Sequence, residues 1–102
     1  MQIVDRFNDG LVDISMPLNR QDLPWNASDD QYIQVYLKTL TNCANYKRIQ
    51  RGVFTLYDLC VDLSLEPKLI YAYIGWGKDD EIKMNHHIDD NKILINLVCK
   101  FL

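Results

Sequence analysis

The stretch IQRGVFTLYDLCVDLSL, residues 49–65, sets the reading of the chain. Thr55 places a hydroxyl in front of an apolar-periodic run, with Asp58 at the third position of the helix that follows. Leu56, Leu59, Cys60 and Leu63 supply the buried face of that helix. Ahead of it, KRIQRGVF (47–54) carries Gly52 among β-branched and aromatic residues and reads as a turn entering a brief strand. Behind it, Ser64 and Leu65 form a tight turn. Pro67 then opens a third helix, because its fixed φ suits a first helical position. Leu69, Ile70, Tyr73 and Ile74 face inward on it, and Gly75 and Gly77, on either side of Trp76, end it.

Upstream, Ser28 and Gln31 make a capping box, and Asp29 and Asp30 lie where the helix dipole favours negative charge. Ile33, Tyr36, Leu37, Leu40 and Ala44 then recur at helical spacing, predicting a helix from Asp29 to Ala44 with Asn45 as its stop. Residues 2–24 read as an extended arm, since Val12, Ile14, Met16 and Leu18 alternate with Asp13, Ser15 and Pro17. Pro17 and Pro24 assign that segment to an edge strand or a wrapping arm, which Trp25 packs onto the body. Downstream, Glu81–Ile88 and Lys92–Cys99 read as two strands joined by a hairpin turn at Asp89-Asp90-Asn91.

Arm, helix, short strand, helix, turn, helix and hairpin are the parts of a winged helix, with the hairpin as wing. The expected fold is therefore α+β: three helices and a small antiparallel sheet, with an extended N-terminal arm. The whole chain, residues 1–102, is one domain, with the arm at 1–24 and the body at 25–102.

From Trp25 to Leu97 the sequence also resembles the N-terminal winged-helix domain of phage replication proteins of the DnaD-like type. The segments that carry the likeness are Trp25, TNCAN at 41–45, IQRGVFTLYDLCVDLSL at 49–65, DDEIKMN at 79–85 and NKILINL at 91–97. The resemblance implies a DNA-associated domain acting in replication or transcription control, in the cytosol of a bacterial host. Departures from the family pattern are Ser64 in place of Gly, Glu66 in place of a Ser or Thr cap, and the glycines at 75 and 77. The chain also stops soon after the wing, where such proteins usually continue into a second domain.

At 102 residues, 48% hydrophobic and 25% charged, the chain suffices for one core but not for a large substrate cleft as well. The formal net charge of −3 argues against a surface that grips phosphates all over. Cys43, Cys60 and Cys99 are widely spaced and odd in number, which reads as buried small hydrophobes in a reducing cytosol. The start, MQIVDRFNDG, lacks the basic and apolar regions of a signal peptide, and no run approaches a membrane span. The expected location is cytoplasmic.

Two function classes follow. Lys38, Lys47, Arg48 and Arg51 occur with no acid between them and with Tyr46 alongside, a pattern suited to a phosphate backbone. DNA contacts would then fall on Lys47, Arg48, Arg51, Lys68 and the wing's Lys83 and Lys92. Against this, residues 64–82 hold Lys68 and Lys78 but also Glu66, Asp79, Asp80 and Glu81, a poor face for a major groove. The second class is a protein-binding inhibitor of a host system, such as a replication factor or a CRISPR nuclease. Its interface would be Tyr71, Tyr73, Trp76, Asp79, Asp80 and Glu81, aromatic anchors beside acids that imitate phosphates. A homodimer through the arm or the first helix is compatible with both. No phosphate loop, G-x-S-x-G or H-E-x-x-H occurs, so no catalytic residue, cofactor or metal is expected. His86 and His87 are neighbours in a strand and point to opposite faces, which does not suit one metal.

Overall fold

The computed structural model describes residues 4–8, 10–19, 30–89 and 92–102. In chain order the elements are strands β1 (Val4–Asn8) and β2 (Leu11–Asn19), helix α1 (Asp30–Arg51), strand β3 (Val53–Thr55) and helix α2 (Leu56–Asp62). A single 3₁₀ turn (Leu69–Tyr73) and strands β4 (Ile74–Gly77), β5 (Asn85–Asp89) and β6 (Lys92–Phe101) follow. The six strands form one antiparallel sheet in the order β1-β2-β6-β4-β3, with β5 also paired to β6.

β6 is the axis of the sheet. It pairs with β2 from Leu11↔Lys100 to Asn19↔Lys92, and its other side is shared by β5 and β4. Both long strands alternate strictly. Val12, Ile14, Met16 and Leu18 of β2 are buried opposite Cys99, Leu97, Ile95 and Ile93 of β6. They join one core with Ile33, Leu37 and Ala44 of α1, Leu56, Leu59 and Cys60 of α2, and Phe54, Tyr71, Ile74, Trp76 and Ile82. Among the described residues the helices thus cover one face and leave the other face of the sheet open, the usual arrangement for an antiparallel sheet of this kind.

The α+β class holds, but the winged helix does not: the described residues hold two helices and a six-stranded sheet, not three helices with a small wing. The third helix fails first. Only Leu69–Tyr73 turn, as 3₁₀, and Ile74–Gly77 run on as a strand between β3 and β6. Leu69 and Tyr73, expected inside, are 83% and 68% exposed, while Tyr71 is fully buried. Gly75 supplies the physical reason. A Cβ there would stand 2.3 Å from the Phe54 carbonyl oxygen, so glycine is what lets β4 lie against β3. Trp76 then packs on Phe54 with ring centroids 6.4 Å apart.

The N-terminal arm is also corrected. β2 is flanked by both β1 and β6, and is not an edge strand. Among the described residues Ser15 is the last of β2 with a β1 partner, and Pro17 follows two positions on, opposite Leu94 of β6. Helix α1 continues past Asn45 to Arg51, and Gly52, at φ +82°, ends it with its amide on the Arg48 carbonyl at 2.8 Å. The first strand of the expected wing is shorter at its start, Asn85 instead of Glu81. Thr55 does cap α2: its hydroxyl accepts the Asp58 amide and the Asp58 carboxylate accepts the Thr55 amide, each at 3.1 Å. At the other end Leu65 N–H reaches the Cys60 carbonyl at 2.8 Å and Ser64 N–H the Val61 carbonyl at 3.1 Å, a Schellman closure with Ser64 left-handed at φ 58°. Pro24, Trp25, Ser28, Asp29 and the turn at 90–91 lie outside the described residues.

Candidate functional site

The pairing that buries Val12 and Cys99 turns Leu11, Asp13, Ser15 and Pro17 of β2, and Leu94, Asn96, Val98 and Lys100 of β6, to the open face. Part of that face is roofed. β5 leaves β6 at Asn96 and β4 joins it at Lys100, so between them no strand of the described residues pairs with β6 on that side. The Trp76 indole fills the gap, its Nε1–H donating to the Val98 carbonyl at 3.0 Å. The loop from Lys78 to Met84 borders the same ground and carries Asp79, Asp80, Glu81 and Lys83. Sheet, indole and loop enclose a groove of about 970 Å³.

Two residues of α1 hold this loop. The Asn45 side-chain amide meets the Ile82 backbone as a strand would: Oδ1 accepts its amide at 2.9 Å and Nδ2 donates to its carbonyl at 3.0 Å. Arg48 Nε donates to the same Oδ1 at 3.0 Å, and its Nη1 donates to the Gly77 carbonyl at 3.3 Å and to the Lys78 carbonyl. Arg48 is 6% exposed, the one buried charged side chain among the described residues. Its charge is spread over backbone carbonyls and an amide oxygen, which is how a guanidinium is kept inside without a carboxylate partner.

Asp80 closes the other end of the turn. Its Oδ2 accepts from Lys100 Nζ and from the Gly77 amide, both at 2.8 Å. The Lys100 hydrogen bond above all, then the Gly77 amide, holds its carboxyl below the usual aspartate range. The groove lining therefore holds four acids, Asp13, Asp79, Asp80 and Glu81, against two bases, Lys83 and Lys100, one of which is tied to Asp80. Its floor is partly apolar, with Leu11 and Val98 each 51% exposed.

The residues expected to touch DNA are scattered over the structure. Lys47 is paired with Asp62 at 2.9 Å, Arg48 is buried, and Lys68 lies over the Tyr71 ring at 5.7 Å from its centre. Arg51, Lys83 and Lys92 are exposed, at the end of α1, in the loop and at the start of β6. Of the expected protein interface, Trp76, Asp79, Asp80 and Glu81 meet at the groove. Tyr71 is core and Tyr73 is exposed outside the groove lining. Asp13, Leu11, Val98 and Lys100 complete the site and were not foreseen. Their signal was the alternation of β2 and β6, which puts them on one face only once the two strands are known to pair.

Burial pushes the Cys60 thiol up to about 11 and, helped by the Asp13 charge, the Cys99 thiol up to about 12, whereas Cys43 is exposed. All three are free. Among the described residues no three His, Cys, Asp or Glu side chains gather as a metal site, and no helix is long and apolar enough to cross a membrane. No family model matches the chain, and neither a curated protein nor a solved structure matches it.

Proposed function

We propose that the chain is a protein-binding module whose acidic groove takes a basic, partly apolar segment of a partner. The observation that carries this reading is the groove itself: Asp13 of β2 stands beside a floor of Leu11 and Val98, with Asp79 and Glu81 on a loop that Asn45 and Arg48 hold in place. Fixed acids beside apolar surface complement a peptide that alternates bases with aliphatic side chains. A partner whose own working surface is basic, such as a protein that grips nucleic acid, is the class this fits, and the loop acids then stand where phosphates would. A direct grip on DNA has weaker support, since Arg48 and Lys47 already have partners inside the molecule.

The reading is tested by fluorescence anisotropy with a labelled peptide of alternating arginine and leucine, and with labelled duplex DNA, over a range of salt. The expected result is saturable peptide binding that weakens with salt, loss of it in Asp79→Lys with Glu81→Lys, and little binding of DNA. Both substituted residues are exposed, so the fold survives. Binding of DNA in preference to the peptide, or peptide binding indifferent to the two substitutions, contradicts the proposal.

A further inference from the structure

Helix α1 is apolar on two faces. Leu37 and Ala44 point into the core of their own chain, seven residues apart. On the opposite side Tyr32, Val35, Thr39, Asn42, Tyr46 and Ile49 follow one another at intervals of three and four residues, the a and d positions of three heptads. Tyr32, Val35, Tyr46 and Ile49 are 56%, 61%, 66% and 58% exposed. None of the six positions carries a charge, although α1 has bases at 38, 47, 48 and 51. A solvated helix face ordinarily carries charged or polar residues, so a charge-free seam of this regularity calls for a partner.

The seam complements itself when reversed. Turned antiparallel about a two-fold axis between Thr39 and Asn42, Tyr32 falls opposite Ile49 of a second copy, Val35 opposite Tyr46, and Thr39 opposite Asn42. Every layer then sets an a position against a d position. Large apolar residues occupy both ends, and a small polar pair at the centre fixes the register. The same alignment runs the two helix dipoles in opposite senses. A parallel pairing would instead gather the basic ends of two helices together.

We infer that α1 is a homodimer interface: a second copy of this chain packs antiparallel along Tyr32–Ile49 in a two-helix seam. The closed two-fold arrangement uses the same patch on both copies. It lies on the side of the molecule away from the open sheet face, so both grooves stay accessible, and it does not depend on what the groove binds.

The test is sedimentation equilibrium of the whole chain at about 1 mM, where even a Kd of about 100 μM leaves most chains paired. The wild type is expected at twice its 12.0 kDa mass. Val35→Glu and Tyr46→Lys, each at an exposed position, are each expected at the mass of one chain with unchanged circular dichroism. The double variant is expected to return to two chains, because antiparallel packing alone sets residue 35 of one copy against residue 46 of the other. A one-chain wild type overturns the inference, as does a dimer that ignores either substitution. A double variant that stays at one chain overturns the antiparallel register.

Discussion

Asn45 Oδ1 lies 2.9 Å from the Ile82 amide nitrogen and 3.0 Å from Arg48 Nε, so one side-chain oxygen ties the loop beside the groove to a buried guanidinium. The acids at 79 and 81 owe their position to this link. Removing Asn45 leaves the Ile82 amide and carbonyl and the Arg48 fork without it at once. Asn45→Ala is expected to lower stability by about 2 kcal/mol, read as a shift of the urea midpoint at unchanged slope. An effect within a few tenths of a kcal/mol would show that the contacts hold nothing.

Arg48 is expected to resist replacement even by lysine, because an ammonium cannot span Asn45 and two carbonyls with one planar fork. Arg48→Lys should destabilise by about 1–2 kcal/mol, and Arg51→Lys by almost nothing, in the same unfolding assay. Equal behaviour of the two would place Arg48 on the surface.

Asp80 is expected to titrate below the ordinary aspartate value of 3.8, with Lys100 as the main cause. A carboxyl lowered on folding contributes stability that is present above its unfolded pKa and lost as pH falls through the folded one. The contribution should therefore persist down to about pH 4 and fade below it. Carboxyl NMR titration of Lys100→Met should show Asp80 moving back up. An unmoved titration would leave the cause with the Gly77 amide.

Ser64 holds the left-handed position at the end of α2 without being a glycine. Ser64→Gly should raise stability by about 0.5–1 kcal/mol, seen as a higher Tm. Loss of stability would show that the serine side chain makes a compensating bond.

Only Cys43 should react with a maleimide in the native protein, with Cys60 and Cys99 following on unfolding. Rapid labelling of all three would contradict the burial of the core face of β6.

Much of the local structure was legible in the residues. The α2 cap at Thr55 and Asp58, the β3 strand and the two strands at the end of the chain rest on signals within a few positions of each other. The sheet was not legible in the same way, since Leu11 pairs with Lys100 almost a chain length away and alternation alone names no partner. The segment Ile70–Trp76 is nearly continuous in apolar and aromatic residues, a pattern shared by short helices and buried strands. In the sequence Gly75 has the pattern of a helix terminator, whereas its role is close approach to β3. The burial of Arg48 did have a signal. It falls four residues after Ala44 and eleven after Leu37, on the inward face, once the helix is allowed past Asn45.

The binding surface we propose is the open sheet face bordered by the acidic loop. The direct measurement is an amide NMR titration of the labelled protein with the arginine–leucine peptide. The account predicts shifts at Asp13, Asp79, Glu81 and Val98, and at the Trp76 indole N–H that donates to the Val98 carbonyl. Shifts confined to Arg51, Lys92 or the outward face of α1, with the Trp76 indole unmoved, would contradict it.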